Sequence, residues 1–210
     1  MAYVSSSFSY PLNFNTYLVA FNLRSPVSTL DKDTKNILIF WFDECEPKDW
    51  FKKNEDFDNK IRFKFANLIE QALDNRLDFW ASNREGCLAL ILLLDQFTRN
   101  IFRKDRKSFS GDKKALQLSS KCVEKNYLSV SAPDWCHFML IPMMHSEDLI
   151  VQNQSLPLFK KYTSSQTYDF ALKHQRIIKE FGRFPHRNSD LGRISTEEEL
   201  NFLKTSGSSF

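Results

Sequence analysis

Glycine is scarce in this chain, with five residues in 210. An all-β fold needs many tight turns, and tight turns draw on glycine, so the count argues against sandwiches and barrels. Long apolar runs are missing as well. The longest unbroken one, Cys87–Leu94, falls far short of the roughly 20 residues that a membrane-spanning helix requires. Neither sign of charge dominates: 29 basic residues face 26 acidic ones, for a net +3, and the two are interleaved. The densest basic stretch, Arg103-Lys104-Asp105-Arg106-Lys107, is broken by an acid and reads as a solvated loop, so no nucleic-acid partner is expected. The four cysteines, Cys45, Cys87, Cys122 and Cys136, form no CxxC pair and no secreted disulfide framework. Reduced thiols and a cytoplasmic location are therefore expected. What the chain does have is 42% apolar and 26% charged residues with twenty Phe, the balance of a folded globular protein.

The length suits one domain with a tail. Residues 1–30 carry a single charge, Arg24, and are rich in Ser, Asn, Phe and Tyr. They are expected to form an N-terminal extension that frays or lies against the domain of residues 31–210. From Asp31 onward the apolar spacing is helical. Asp31 caps a first helix bearing Ile37, Leu38, Trp41 and Phe42, which Pro47 ends. Phe57, Ile61, Phe65, Leu68 and Ala72 recur every three or four residues, an amphipathic stripe. Glu85–Asn100 is apolar nearly all round and belongs at the centre of the core. Asp112 opens a further helix through Ala115, Leu118 and Cys122, and Asp134 another through Phe138 and Ile141, where Pro142 either kinks it or opens the next helix. Gln166–Phe181 stops at Gly182, and Ser195 with Glu198 forms a capping box for a short last helix. No β-alternation competes, so the fold class is all-α, a single domain of about seven to nine helices.

Three polar clusters interrupt this grammar, and function should sit where local rules break. Asp95-Gln96-Phe97-Thr98-Arg99-Asn100 follows directly on the apolar run. Asp95 and Arg99, four apart, can pair, and an acid in so buried a place needs a partner. Pro142-Met143-Met144-His145-Ser146-Glu147-Asp148 sets an imidazole beside carboxylates, the pairing used in general base catalysis, though Ser146 and its acids also suit a helix start. Gly182-Arg183-Phe184-Pro185-His186-Arg187-Asn188 holds two guanidiniums in a proline-stiffened loop, suited to bidentate recognition of a carboxylate or phosphate, or to bridging the acids of the other clusters. His174 lies eight residues before Gly182 and can face the same place.

These three segments, with Phe40-Trp41-Phe42, Asp49-Trp50-Phe51 and Leu191-Gly192-Arg193 before Ser195-Thr196, resemble signatures of the DUF924 family, mostly bacterial proteins of unestablished function. The resemblance spans about residues 35 to 205. It implies an α-helical fold similar to the tetratricopeptide-repeat superfamily, although no repeat is visible in the sequence itself.

Two functional readings follow from the residues. In the first, the protein binds or hydrolyses a small anionic ligand: His145 or His186 acts as acid or base, Glu147 or Asp148 orients it, and Asp95, Gln96, Arg99, Asn100, His174, Arg183, Arg187 and Asn188 hold the ligand. In the second, the domain is a helical module that clamps a peptide carboxylate or partner protein, with the clusters as structural locks. No cofactor is implied. His145, Glu147, His174 and His186 are ligand types, but no HExxH-like spacing accompanies them, so no metal is expected.

Overall fold

The computed structural model describes residues 31–51 and 53–208, and the expectation for residues 1–30 lies outside them. Asp31 caps α1 (Lys32–Ile39) by accepting from the Asp33 and Thr34 amides, as its position suggested. A π turn, Phe40–Glu44, follows without a break, and the chain turns extended at Cys45. Pro47 therefore does not end the first helix. It opens α2 (Pro47–Trp50), where its missing N–H falls at an already unpaired position. Helix α3 (Glu55–Leu73) buries Ile61, Phe65, Ile69 and Ala72 on one stripe.

The apolar segment is α4 (Arg84–Ile91), a π turn Leu92–Phe97 and α5 (Thr98–Ile101), continuous in the chain. Every residue from Gly86 to Thr98 is buried, including Asp95 and Gln96. Helix α4 packs against α1, α6 (Asp112–Glu124) and α7 (Pro133–Met144), and α3 lies along the π turn and α5. Phe40, Trp41, Phe65, Phe97 and Phe138 interlock beside it with ring centroids 5.1–6.1 Å apart, at edge, tilted and stacked angles. Gly111 shows how close the packing is: a Cβ there would lie 2.2 Å from the Leu94 carbonyl oxygen. Only glycine lets α6 start against the π turn, and that contact fixes where Asp112 stands.

Helices α7, α8 (Leu149–Tyr162) and α9 (Ser165–Phe181) pack in succession, and Gly182 (φ +70°) ends α9 in the left-handed region that favours glycine. Pro142 sits inside α7 without ending it. Two short helices, α10 (Asn188–Leu191) and α11 (Glu197–Leu203), close the chain. The final capping box is one residue later than Ser195/Glu198: Thr196 Oγ1 accepts from the Glu199 amide at 3.2 Å, and the Glu199 carboxylate accepts from the Thr196 amide at 2.8 Å. The register moves because Glu199 also serves buried Asn188 and Arg183, which exposed Glu198 cannot reach. Among the described residues seven helices have eight residues or more, and there is no strand. No helix among them is long and apolar enough to cross a membrane. All four cysteines are buried and unpaired.

Candidate functional site

Asp95 is the floor of the site. The π turn carries it into the core, where its side chain is 0% exposed. A buried carboxylate must find donors, and Asp95 finds three. Gln96 Nε2 donates to Oδ2 at 2.6 Å, Arg99 Nη1 lies 3.2 Å from Oδ1, and His145 Nδ1 lies 2.8 Å from the same oxygen. Arg99 Nη1 also donates to the Asp95 carbonyl at 2.6 Å. Burial alone would raise the Asp95 carboxyl, but the charge of Arg99 and the contact with His145 outweigh it and hold the group well below the usual carboxylate range.

His145 arrives from the C-terminus of α7, its amide bonded to the Ile141 carbonyl. Gln152 of α8 fastens this corner by donating to the Met144 and Ser146 carbonyls at 2.6 and 2.8 Å. An ionised carboxylate can only accept, so His145 Nδ1 carries the proton and Nε2 keeps its lone pair. Nε2 has no hydrogen bond to the described residues, and the side chain stays 15% exposed. Burial keeps His145 below its ordinary pKa, so the ring is neutral at pH 7.

Asp112 is the residue that the sequence did not single out. As the first residue of α6 it read as a helix start, and nothing in the sequence tells that position from any other acidic one. The structure sets its carboxylate between two guanidiniums: Arg99 Nη2 lies 3.0 and 3.1 Å from its oxygens, and Arg187 Nη1 lies 3.4 Å away. Arg187 stacks its guanidinium on Phe184 and Phe109, at 4.5 and 5.0 Å from the ring centroids. Its Nε is buried without a hydrogen-bond partner. Burial and the neighbouring Arg99 lower its pKa to about 10, which still leaves it charged. His174 and His186 flank Phe184, with ring centroids at 5.6 Å in both cases, and the His174 ring lies 6.1 Å from that of His145. Burial drives both below their ordinary pKa, to about 3 and about 4.

The other expected site residues serve a second network. Glu147 accepts from the Phe184 amide at 2.8 Å and is clamped by Arg193 at 2.6 and 3.0 Å. It steadies the loop that carries Arg187, and Asp95 takes the orienting contact to His145. Asp148 is exposed and caps α8 through the Ile150 amide. Arg183 pairs with Glu199 at 2.6 and 2.8 Å, and Asn188 donates to Ser195 and Glu199 while accepting from Arg193. Asn100 turns to the other side of its helix and donates to Asp58 of α3, which Arg103 also engages. The three polar segments thus meet directly: Asp95 touches His145, Glu147 touches Phe184, and Asp112 joins Arg99 to Arg187. Asp95, Gln96, Arg99, His145 and Arg187, with Asp112, form the inner site beside His174 and His186. Glu147, Arg183 and Asn188 brace it from outside. Among the described residues no group of three or more His, Cys, Asp or Glu side chains is arranged to hold a metal ion.

A protein of unknown function from Agrobacterium tumefaciens has a similar solved structure, with a TM-score of 0.77 and 33% identity over 81% of this chain and 96% of that one. No curated protein matches the chain. The family model described as "Bacterial protein of unknown function (DUF924)" matches residues 37–207, a span holding all of the inner site and its brace. The chain belongs to the DUF924 family.

Proposed function

We propose that the protein binds a small anionic ligand at the inner site and hydrolyses it with His145 as general base. The observation that carries this is the Asp95–His145 contact at 2.8 Å, which fixes the ring so that Nε2, the basic nitrogen, remains accessible beside two guanidiniums. In the reaction a water molecule attacks the electrophilic centre of the ligand. The water loses a proton to His145 Nε2 as the new bond to oxygen forms, and the leaving group departs with the electron pair of the broken bond. Asp95 stabilises the imidazolium so formed. Arg99 and Arg187 hold the anion and offset negative charge in the transition state. Water is the nucleophile in this reading, and the adjacent Ser146 Oγ accepts from the Asp148 amide at the start of α8. The four free, buried cysteines support a reducing compartment such as the cytoplasm.

The test is turnover of chromogenic anionic substrates, nitrophenyl phosphate and the nitrophenyl monoester of succinate, by wild type, His145→Asn and Arg187→Ala. The expected result is turnover that His145→Asn reduces at least 100-fold, with KM raised in Arg187→Ala. If Arg187→Ala leaves turnover unchanged but lowers stability by ~3–5 kcal/mol, as breaking a buried pair does, the residue is a structural lock and the proposal falls. Absence of His145-dependent turnover on both substrates also overturns it.

A further inference from the structure

We propose that the Asp112 carboxylate occupies the seat of the ligand's own anionic group, and that this group is a carboxylate which enters by displacing Asp112. The inference rests on the reading of Arg99 and Arg187 as the anion-holding residues and adds the class of ligand and the step that admits it.

The geometry around Asp112 is that of a bound anion. One planar carboxylate bridges two guanidiniums from different parts of the chain, at 3.0 and 3.1 Å from Arg99 and 3.4 Å from Arg187. Neither arginine depends on it for placement. Arg99 is held from below by the Asp95 carboxylate and carbonyl, and Arg187 by its stacking on Phe184 and Phe109. Arg187 remains under-used, with a long contact at Nη1 and a buried Nε lacking an acceptor. Two preorganised cations with spare donor capacity are what a recognition site for a planar two-oxygen group requires.

Exposure then gives the direction of entry. Side-chain exposure rises from 0% at Asp95 and 7% at Arg187 to 21% at Arg99 and 25% at Asp112. The Asp112 side chain is the most exposed of the four, while its Oδ1 is buried against the arginines. Its backbone is fixed by the close approach of Gly111 to Leu94, but its side chain stands on the first residue of α6. Rotation about its Cα–Cβ bond would withdraw the carboxylate from the arginines without breaking a helical hydrogen bond.

Charge selects the ligand class. The inner site sets Arg99 and Arg187 against Asp95 and Asp112, with neutral histidines, and so balances to zero. A monoanionic carboxylate replacing Asp112 preserves that balance. A phosphate dianion would leave one negative charge uncompensated in a largely dry place, which is costly. The groups facing Asp112 are Arg99 of α5, Asp95 of the π turn, Arg187 before α10 and His145 at the end of α7. Burial and the nearby Asp95 raise the Asp112 pKa although both arginines oppose it. Acidification therefore weakens its hold on the guanidiniums and favours the incoming ligand.

Acetate and inorganic phosphate, titrated by NMR against the full chain and read at the Arg187 Nε–H and His145 ring signals, test this. Asp112→Asn should bind acetate at least tenfold more tightly than wild type at pH 7, and phosphate should bind both proteins more weakly than acetate does. Wild-type affinity for ionised acetate should rise as the pH is lowered from neutrality toward the range where Asp112 takes up its proton, while that of Asp112→Asn stays flat. The wild-type pH series stands alone if the variant does not fold. Equal acetate affinity in the two proteins, or a wild-type profile without pH dependence, overturns the inference; if His145-dependent turnover persists in that case, the proposed function stands without it. Tighter binding of phosphate than of acetate overturns the carboxylate assignment. If neither anion binds either protein and no His145-dependent turnover is found, this inference and the reading beneath it both fail.

Discussion

Replacing Asp95 with Asn changes one charge and almost no volume, so its consequences can be worked out from the contacts. The carboxylate is fully buried and satisfies His145, Gln96 and one face of Arg99. Breaking a buried pair by removing one partner costs ~3–5 kcal/mol. Arg99 keeps its contacts to Asp112 and is a fifth exposed, so the lower end of that range, about 3 kcal/mol, is expected at pH 7. Because the fold holds the carboxyl below its usual range, its contribution is complete above the pKa of the unfolded chain, ~3.9, and disappears as pH falls from there toward the folded value. The gap between wild type and Asp95→Asn should be widest near neutrality and close in acid. Urea titration of the two proteins at pH 7, 5 and 3.5 measures this. The His145 tautomer supplies a second reading: the carboxylate places the proton on Nδ1 in wild type, and because Arg99 Nη1 shares that oxygen with His145, the amide oxygen of Asn takes its place and keeps the proton there. A stability loss below ~1 kcal/mol, or a wild-type proton on Nε2 by nitrogen NMR, would refute the Asp95–His145 assignment.

Two further outcomes test the frame that carries the site. Leu92→Ala, in the π turn where every side chain is buried, should cost ~2–5 kcal/mol in denaturant titration, and a loss under ~1 kcal/mol would contradict its central position. Gly111→Ala places a methyl group 2.2 Å from a backbone oxygen that cannot swing aside, so α6 must shift. A cost of ~1–3 kcal/mol is expected, together with a changed His145 NMR signal as Asp112 moves; an unaltered stability and spectrum would mean that this contact does not set the position of Asp112.

The helices were legible in the sequence because apolar spacing, caps and the Gly182 stop each point the same way. The π turn was not. Cys87–Leu94 is apolar on all sides, so the run has no periodic face from which an extra residue could be detected. That blind spot explains Asn100, which the sequence groups with Asp95 and Arg99 but which the helix turns toward Asp58. Convergence of the three polar segments was inferable from the physical need of each for partners. The division of labour inside them was not, because it depends on which carboxylate reaches which base: Asp95, fifty residues away in sequence, takes His145, and the nearer Glu147 is claimed by Arg193. Asp112 stayed hidden for the same reason, since a helix-opening acid looks the same whether it faces solvent or two arginines.

The four buried cysteines make the protein its own reporter of local opening. Cys45 stands beyond the first π turn and Cys136 in α7, while Cys87 of α4 and Cys122 of α6 meet side chain to side chain. Burial pushes the Cys45 thiol up to about 12 and that of Cys136 to about 11, so neither offers thiolate to a reagent while the core is closed. An alkylating reagent then modifies each sulfur only during the excursions that expose it, and the rate at each position measures how often that part of the helix set comes apart. Comparing Cys45 with Cys136 under mild reagent would map, without any engineered label, whether the first turns of the domain open independently of the α7 scaffold that carries His145.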